Sequence, residues 1–268
     1  MSETSMQFSK AIRKEVLKMV YENKAAHVGG ALSMADLLAV LYSEFLNIDP
    51  ENPLHPERDR FLLSKGHACT ALYATLALKG FFPLDELKNY SKDGSLLLSH
   101  ASHKVPGVEL STGSLGHALS VACGIALAGK RNKNNFRVYC LVSDGELDEG
   151  SNWEAILFAP HHQLDNLTVI VDYNKIQSLG TVAEVLKLDP LHKKFESFGW
   201  DAVETDGHHH EEIRTALSRA KDVQNKPGVI IAHTVKGKGV NFMENKLLWH
   251  YRSPSAEEFA EAIKQIEK

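Results

Sequence analysis

Three stretches of this chain are too continuously apolar to be half-exposed strands: FRVYCLV, LTVIVDY and GVIIAHTV. A strand wetted on one face alternates apolar and polar residues, whereas a strand covered on both faces reads as an unbroken run. Helical patterns separate these runs, which indicates an α/β fold: a mostly parallel sheet flanked by helices on both faces. The expected order is a strand over RVYCLVSD, a helix over 150–162, strands over LTVIVDYN and WDAVETD with a helix between them, a strand over GVIIAHTV, and a closing helix, SAEEFAEAIKQIEK. Pro160 is expected to kink the helix it sits in. The loop STGSLG precedes ALSVACGIALAG, a helix apolar nearly all round and therefore expected to be buried.

Residues 1–110 read as a helical N-terminal portion. Phe8, Ala11, Ile12, Val16, Met19 and Val20 recur at helical spacing and place a helix over 7–24. Ser33 with Asp36 three residues on resembles a capping signal for a second helix through about Phe45. A proline-rich loop follows, then the strand-like RFLLS, then a helix through ALYATLALK that stops at Gly80. No linker or repeat interrupts the chain, so 1–268 reads as a single domain.

Composition narrows the function. The net charge is -4 and no basic stripe stands out, which argues against a nucleic-acid partner. No run approaches the roughly 18 apolar residues needed to span a bilayer, and the first twenty residues lack the apolar core of a signal peptide. Cys69, Cys123 and Cys140 form no C-x-x-C pair and are odd in number. They read as reduced, packed thiols in a reducing compartment, so the expected location is cytoplasmic.

The stretch VSDGELDEGSNWEAI crowds Asp144, Glu146, Asp148 and Glu149 behind a buried strand. Ligands of an open parallel sheet bind at the carboxyl ends of its strands. Asp144 ends one strand and Asn174 ends the next, 30 residues later, a separation that one βαβ unit spans. A carboxylate, an amide oxygen and the Ile176 carbonyl would supply three hard oxygens suited to Mg²⁺ or Ca²⁺, completed by a phosphorylated ligand and water. Gly145 lets such a ligand approach the backbone, and a helix N-terminus beyond it favours phosphate oxygens. A plain helix-capping loop has the same local pattern.

SDGELDEGSNWEA followed by LDNLTVIVDYNKI resembles the thiamine-diphosphate motif, and more narrowly the transketolase family. AAHVGGALSMADLLAVLY, LSKGHACTALYA, PGVELSTGSLGHALSVACGIALAGK and HTVKGKGVNFME fall in that family's order along essentially the whole chain. The resemblance covers only the N-terminal, diphosphate-binding part of a transketolase, as in the first subunit of split transketolases. It implies thiamine diphosphate and Mg²⁺ as cofactors, with Ca²⁺ a possible substitute. It also implies sugar or sugar-phosphate substrates and transfer of a two-carbon ketol unit from a ketose to an aldose. The pyrimidine-binding domain would come from a partner subunit of roughly 300 residues, two of each chain forming a heterotetramer.

Carried over position by position, the resemblance puts Asp144, Asn174 and Ile176 on the metal. It puts Gly145 and Glu146 beside the diphosphate, and Gly113, Ser114 and Leu115 against the aminopyrimidine. His67 and His250 would lie near the diphosphate, His27 and His100 near the sugar carbonyl and hydroxyls, where imidazole suits proton traffic near neutrality. Glu149 would join a network of acidic side chains between the two active sites of a dimer. His208, His209 and His210 read as a turn opening a helix; Lys236 and Lys238 could approach the diphosphate or face solvent, and the favoured reading is a structural loop beside the site. Ser143, His117, Ala118, Ser178 and Tyr251 depart from the family pattern around the cofactor. Two alternatives are the α-subunit of a 2-oxoacid dehydrogenase or decarboxylase and a non-catalytic, cofactor-binding regulatory subunit. The order of His27, His67, His100 and STGSLG favours transketolase over the first, and the Asp144–Asn174 pair with four channel histidines speaks against the second.

Overall fold

Thr4 opens the first helix in the computed structural model, which describes residues 4–268. Its side chain accepts the Gln7 N–H while the Gln7 side chain returns to the Thr4 backbone, a reciprocal cap that starts α1 (Ser5–Glu22). Phe8, Ile12, Val16 and Val20 form its buried stripe. The chain then makes α2 (Val28–Ser33) and α3 (Ala35–Val40), the latter running into a wider turn at Leu41–Phe45. The expected cap at Ser33 is not there. Ser33 ends α2, and its hydroxyl is spent on the Gly30 carbonyl at 3.0 Å and on Asp172 at 2.5 Å, so a tertiary partner overrides the local Ser-x-x-Asp pattern.

After β1 (Arg60–Leu63) comes α4 (Cys69–Leu78), ended by Gly80 at φ 88. The second half supplies α5 (Ala118–Arg131), β2 (Val138–Ser143), α6 (Gly150–His161), β3 (Leu167–Tyr173), α7 (Val182–Val185) and α8 (Leu191–Phe198). It closes with β4 (Asp201–Asp206), α9 (His210–Asp222), β5 (Gly228–His233) and α10 (Ala256–Glu267). Pro160 lies in the last turn of α6, and the Ile156 carbonyl that its missing N–H would have met instead accepts the Trp200 indole N–H at 2.8 Å.

All strand pairs are parallel, in the order β1-β2-β3-β5-β4. β2 and β3 are buried at every residue, as their unbroken apolar runs require, while the edge strand β4 is buried only at Ala202 and Thr205. Successive residues serve opposite faces. Tyr139, Leu141, Ile170 and Ile230 pack with the helices of the N-terminal portion, α9 and α10. Val138, Cys140, Val169, Val171 and Ile231 pack with α5, α6 and α8. α5 is not buried all round. Leu119, Ala122, Cys123 and Ala126 face the sheet, but Ser120, Val121 and Gly124 are exposed, because small residues on its outer side meet no further layer among the described residues. The three cysteines are buried and unpaired. No helix among the described residues is long and apolar enough to cross a membrane.

Because every strand runs the same way, Ser64–His67, Asp144, Asn174 and Thr234–Lys236 all emerge at one edge of the sheet. The loop at 101–113 is laid across it: the Ala101 N–H reaches the Gly66 carbonyl at 3.2 Å, and the Thr112 hydroxyl reaches the Leu63 carbonyl at 2.7 Å. A Cβ on Gly66 would stand 2.3 Å from the Thr112 carbonyl oxygen, a backbone atom that cannot swing aside. Gly66→Ala is therefore expected to destabilise the protein by about 2 kcal/mol, as other overpacked sites do. Urea unfolding checks it, and an unchanged midpoint contradicts the contact.

Candidate active site

At that edge lies a cavity of about 240 Å³ into which every central strand sends a residue. Asp144, on the first turn beyond β2, accepts N–H groups from Gly145 at 2.7 Å and Lys175 at 2.5 Å. Asn174, just beyond β3, turns its side-chain oxygen to the Ile176 N–H at 3.2 Å. The Ile176 carbonyl accepts from the Lys236 ammonium at 2.8 Å. Asp144, Gly145, Asn174 and Ile176 line the cavity together, as do Gly113, Leu115 and the four histidines singled out by the sequence.

The histidines form a connected group. The His27 ring lies 5.0 Å from His67, 4.9 Å from His250 and 6.4 Å from His100, and His67 lies 5.7 Å from His250. His27 begins α2 in a left-handed conformation, φ 68, uncommon for a residue with a side chain, and its N–H is held by the His250 carbonyl at 2.9 Å. Burial, then the neighbouring His100 and Lys236, lowers the His27 pKa. Burial and Lys65 push His67 well down, and burial and Lys236 push His250 down to about 3. These three rings are neutral at pH 7 and offer one donor and one acceptor nitrogen each.

Two of the residues marked by the sequence, Ser114 and Glu146, are placed differently. Ser114 is exposed and outside the cavity lining. Glu146 is fully buried but turned away: its carboxylate accepts the Ser64 hydroxyl, the Gly116 N–H at 2.9 Å and the Ser143 N–H at 3.3 Å. It thus ties the STGSLG loop to the ends of β1 and β2, and burial raises its pKa. Glu149 is exposed on this chain, packed beside Gly116. Of the crowded acidic stretch, only Asp144 faces the cavity.

Lys65 and Lys236 also line the cavity, although in the sequence Lys236 reads as part of a structural loop. Lys65 lies two residues beyond β1 and Lys236 three beyond β5, so the edge rule that selects Asp144 and Asn174 also selects them. Lys65 is buried against Asp172. Burial opposes ionisation of Asp172, yet the Lys65 ammonium and the Ser33 and Thr234 hydroxyls hold its pKa below the usual carboxylate value. Lys236 is different. It is 2% exposed and touches only neutral groups, the Ile176 carbonyl and the His250 ring, and burial pulls its pKa down to about 8.

Asp144, equally 2% exposed, has no ion-pair partner among the described residues, and burial, reinforced by Asp172, raises its pKa to about 6. A buried carboxylate and a buried ammonium thus share one cavity without pairing. Each is costly alone. A divalent cation on Asp144 and anionic oxygens near Lys236 would compensate both, so the residues fit a metal–diphosphate ligand. Among the described residues no group of three or more His, Cys, Asp or Glu could hold a metal alone. A cation there would draw on the Asn174 and Ile176 oxygens and on the ligand itself, a donor set suited to Mg²⁺.

The depressed His250 pKa has a consequence for stability. Between about 3 and the ordinary value near 6.5, the unfolded chain binds a proton that the native ring refuses, so stability falls as pH drops through that window. His250→Gln is expected to lose less stability than wild type between pH 7.5 and 5, by about 1 kcal/mol after allowing for solvent screening at this partly exposed ring. Urea unfolding at both pH values measures it. Parallel losses in the two proteins would contradict the buried, neutral ring.

The sequence matches the family described as "Transketolase, thiamine diphosphate binding domain" over residues 4–266. It is 41% identical over 254 residues to a subunit of the apulose-4-phosphate transketolase of Phocaeicola vulgatus, covering 95% of this chain and 90% of that one. It is 43% identical over 258 residues to the 6-deoxy-6-sulfo-D-fructose transketolase subunit SqwG of a Clostridium species, covering 96% and 94%. The fold superimposes on the crystal structure of transketolase from Campylobacter jejuni with a TM-score of 0.93 and 34% identity, covering all of this chain but 43% of that one. The chain thus spans less than half of that transketolase and nearly the full length of the two subunits. On its cavity, its sheet and these likenesses, the chain belongs to the transketolase family, in the N-terminal part that binds thiamine diphosphate.

Proposed function

We propose that this chain is the cofactor-binding first subunit of a two-subunit transketolase, transferring a two-carbon ketol unit from a ketose to an aldose. One observation carries the reading: Asp144 and Lys236 are buried in the same cavity, each without an ion-pair partner among the described residues. Asp144, the Asn174 side-chain oxygen and the Ile176 carbonyl hold Mg²⁺. Lys236 and the Gly145 backbone hold the diphosphate, helped by neutral His67 and His250. The backbone of Gly113 and Leu115 faces the pyrimidine ring. When bound, thiamine diphosphate supplies the nucleophilic carbon and electron sink for breaking and remaking a carbon–carbon bond. His27, at the centre of the histidine group, and the exposed His100 take and return protons at substrate hydroxyls and the carbonyl. Glu149, exposed here, is free to meet an acidic side chain of a neighbouring protomer.

The two relatives of similar length are named for anionic sugars, one phosphorylated and one sulfonated. Substrates of that class suit this chain, with their anionic ends bound by the partner protein. That partner, expected at roughly 300 residues, also brings the remaining pyrimidine contacts. The relatives' names and the histidine order support ketol transfer over 2-oxoacid oxidation.

The test is reconstitution. Ketol transfer should need this chain, its partner, Mg²⁺ and thiamine diphosphate together. Asp144→Ala should abolish Mg²⁺-dependent cofactor retention in calorimetry of the assembled complex. Full transfer activity from this chain alone, or unchanged retention in the variant, would refute the assignment.

A further inference from the structure

The tract His208-His209-His210 opens α9, and only its middle member behaves as a capping residue, with His209 accepting the Glu212 N–H. The two flanking rings turn inward onto one carboxylate. His208 Nδ1 lies 2.7 Å from Asp36 Oδ2 and His210 Nε2 lies 3.1 Å from Asp36 Oδ1. Arg13 donates to the same two oxygens at 3.0 and 2.5 Å. Burial disfavours the Asp36 charge, but Arg13 and the two histidines hold its pKa well below the usual carboxylate value. Asp36 is thus a fixed anion with donors on both oxygens.

The other nitrogen of His208 faces a different element. Nε2 lies 2.8 Å from the backbone nitrogen of Val235, whose N–H can only donate, so Nε2 carries no proton. Nδ1, facing the Asp36 carboxylate, must carry it. The hydrogen-bond network therefore assigns a neutral ring in the Nδ1–H tautomer, fixed from both sides. Val235 precedes Lys236 directly. On the far side of Lys236, the Gly237 N–H is held by the Gly29 carbonyl at 2.9 Å. Gly29 also leaves room for the lysine stem, since a Cβ there would stand 3.0 Å from Lys236 Cγ. Lys236 is thus suspended between two backbone anchors, one of them an imidazole nitrogen.

We propose that His208 is a positioning residue for the diphosphate pocket: braced by Asp36, its unprotonated Nε2 anchors the Val235 backbone and so fixes where the Lys236 ammonium points. The inference rests on the reading of Lys236 as a diphosphate ligand. Removing the acceptor leaves a partly buried N–H without a partner and frees the segment that carries Lys236. The loss should fall on the diphosphate end of the cofactor, because the histidine's hydrogen bonds go to Asp36 and Val235 and not to the pyrimidine loop. A merely structural histidine would instead weaken all ligands of the cavity together.

The experiment compares calorimetric binding of thiamine diphosphate and thiamine monophosphate, with Mg²⁺, to the complex assembled with the partner protein. His208→Phe keeps the ring volume without the polar atoms, and His208→Gln keeps a donor and an acceptor on one group. His208→Phe should weaken thiamine diphosphate by about 10- to 100-fold, the usual effect of losing an outer support, and the monophosphate by much less. His208→Gln should recover most of the difference. Equal weakening of both ligands, or no weakening, overturns the proposal while leaving the cofactor reading intact; absence of Mg²⁺-dependent binding in wild type overturns both. Nitrogen NMR of the wild-type histidines decides independently of how the variants fold: an Nδ1–H tautomer is expected for His208, and an Nε2–H or doubly protonated ring overturns the relay.

Discussion

Asp172 is a carboxylate with no exposure at all, in the middle strand of the sheet, and the arrangement of the site depends on how its charge is satisfied. It accepts from the Lys65 ammonium, the Ser33 hydroxyl and the Thr234 hydroxyl. These donors come from the segment after β1, from α2 and from the segment after β5. Lys65 also reaches the Gly30 carbonyl at 2.8 Å. The pieces of chain that carry His27, His67 and Lys236 are therefore tied to one point beneath the cavity floor. Such a buried pair adds little net stability over well-packed apolar residues, but removing one partner costs about 3–5 kcal/mol. Its structural value here lies in geometry, since no apolar contact would fix three loops to one atom group.

The same pairing divides the charges of the cavity. Lys65 is committed to Asp172, so it is not free to neutralise Asp144. Lys236 leans on neutral oxygen and nitrogen atoms, and Asp144 on two backbone N–H groups. What remains is one demand for a cation and one for an anion, side by side, with neutral imidazoles along the wall. A metal-bound diphosphate would meet both demands with one ligand. Low dielectric around these groups strengthens every such contact once water is displaced.

Much of this is legible in the sequence. The unbroken apolar runs locate β2, β3 and β5, and the strand-edge rule joins Asp144 to Asn174 across 30 residues. What escapes is set by partners far away in the chain. Ser33 reads locally as a cap, but its hydroxyl is claimed by Asp172, 139 residues on. His208 and His210 read as a turn, yet they converge on Asp36, 172 and 174 residues earlier. Lysine is usually solvated, so the burial of Lys65 and Lys236 follows from tertiary packing alone. The outer side of α5 shows the reverse case. Its small apolar residues look like core in the sequence, but no layer among the described residues covers them.

In the structure, Lys236 donates to the Ile176 carbonyl, the oxygen proposed for the metal. A cation on that oxygen would repel the ammonium, so the two cannot share it comfortably. Crystals grown with Mn²⁺ and thiamine diphosphate, with anomalous scattering to locate the ion, give the most direct test. The expected result is a manganese peak bonded to Asp144, Asn174 and Ile176, with Lys236 withdrawn from the carbonyl onto phosphate oxygens. A fully occupied cofactor with no ion at Asp144, or an ion there with Lys236 still on Ile176, would contradict it.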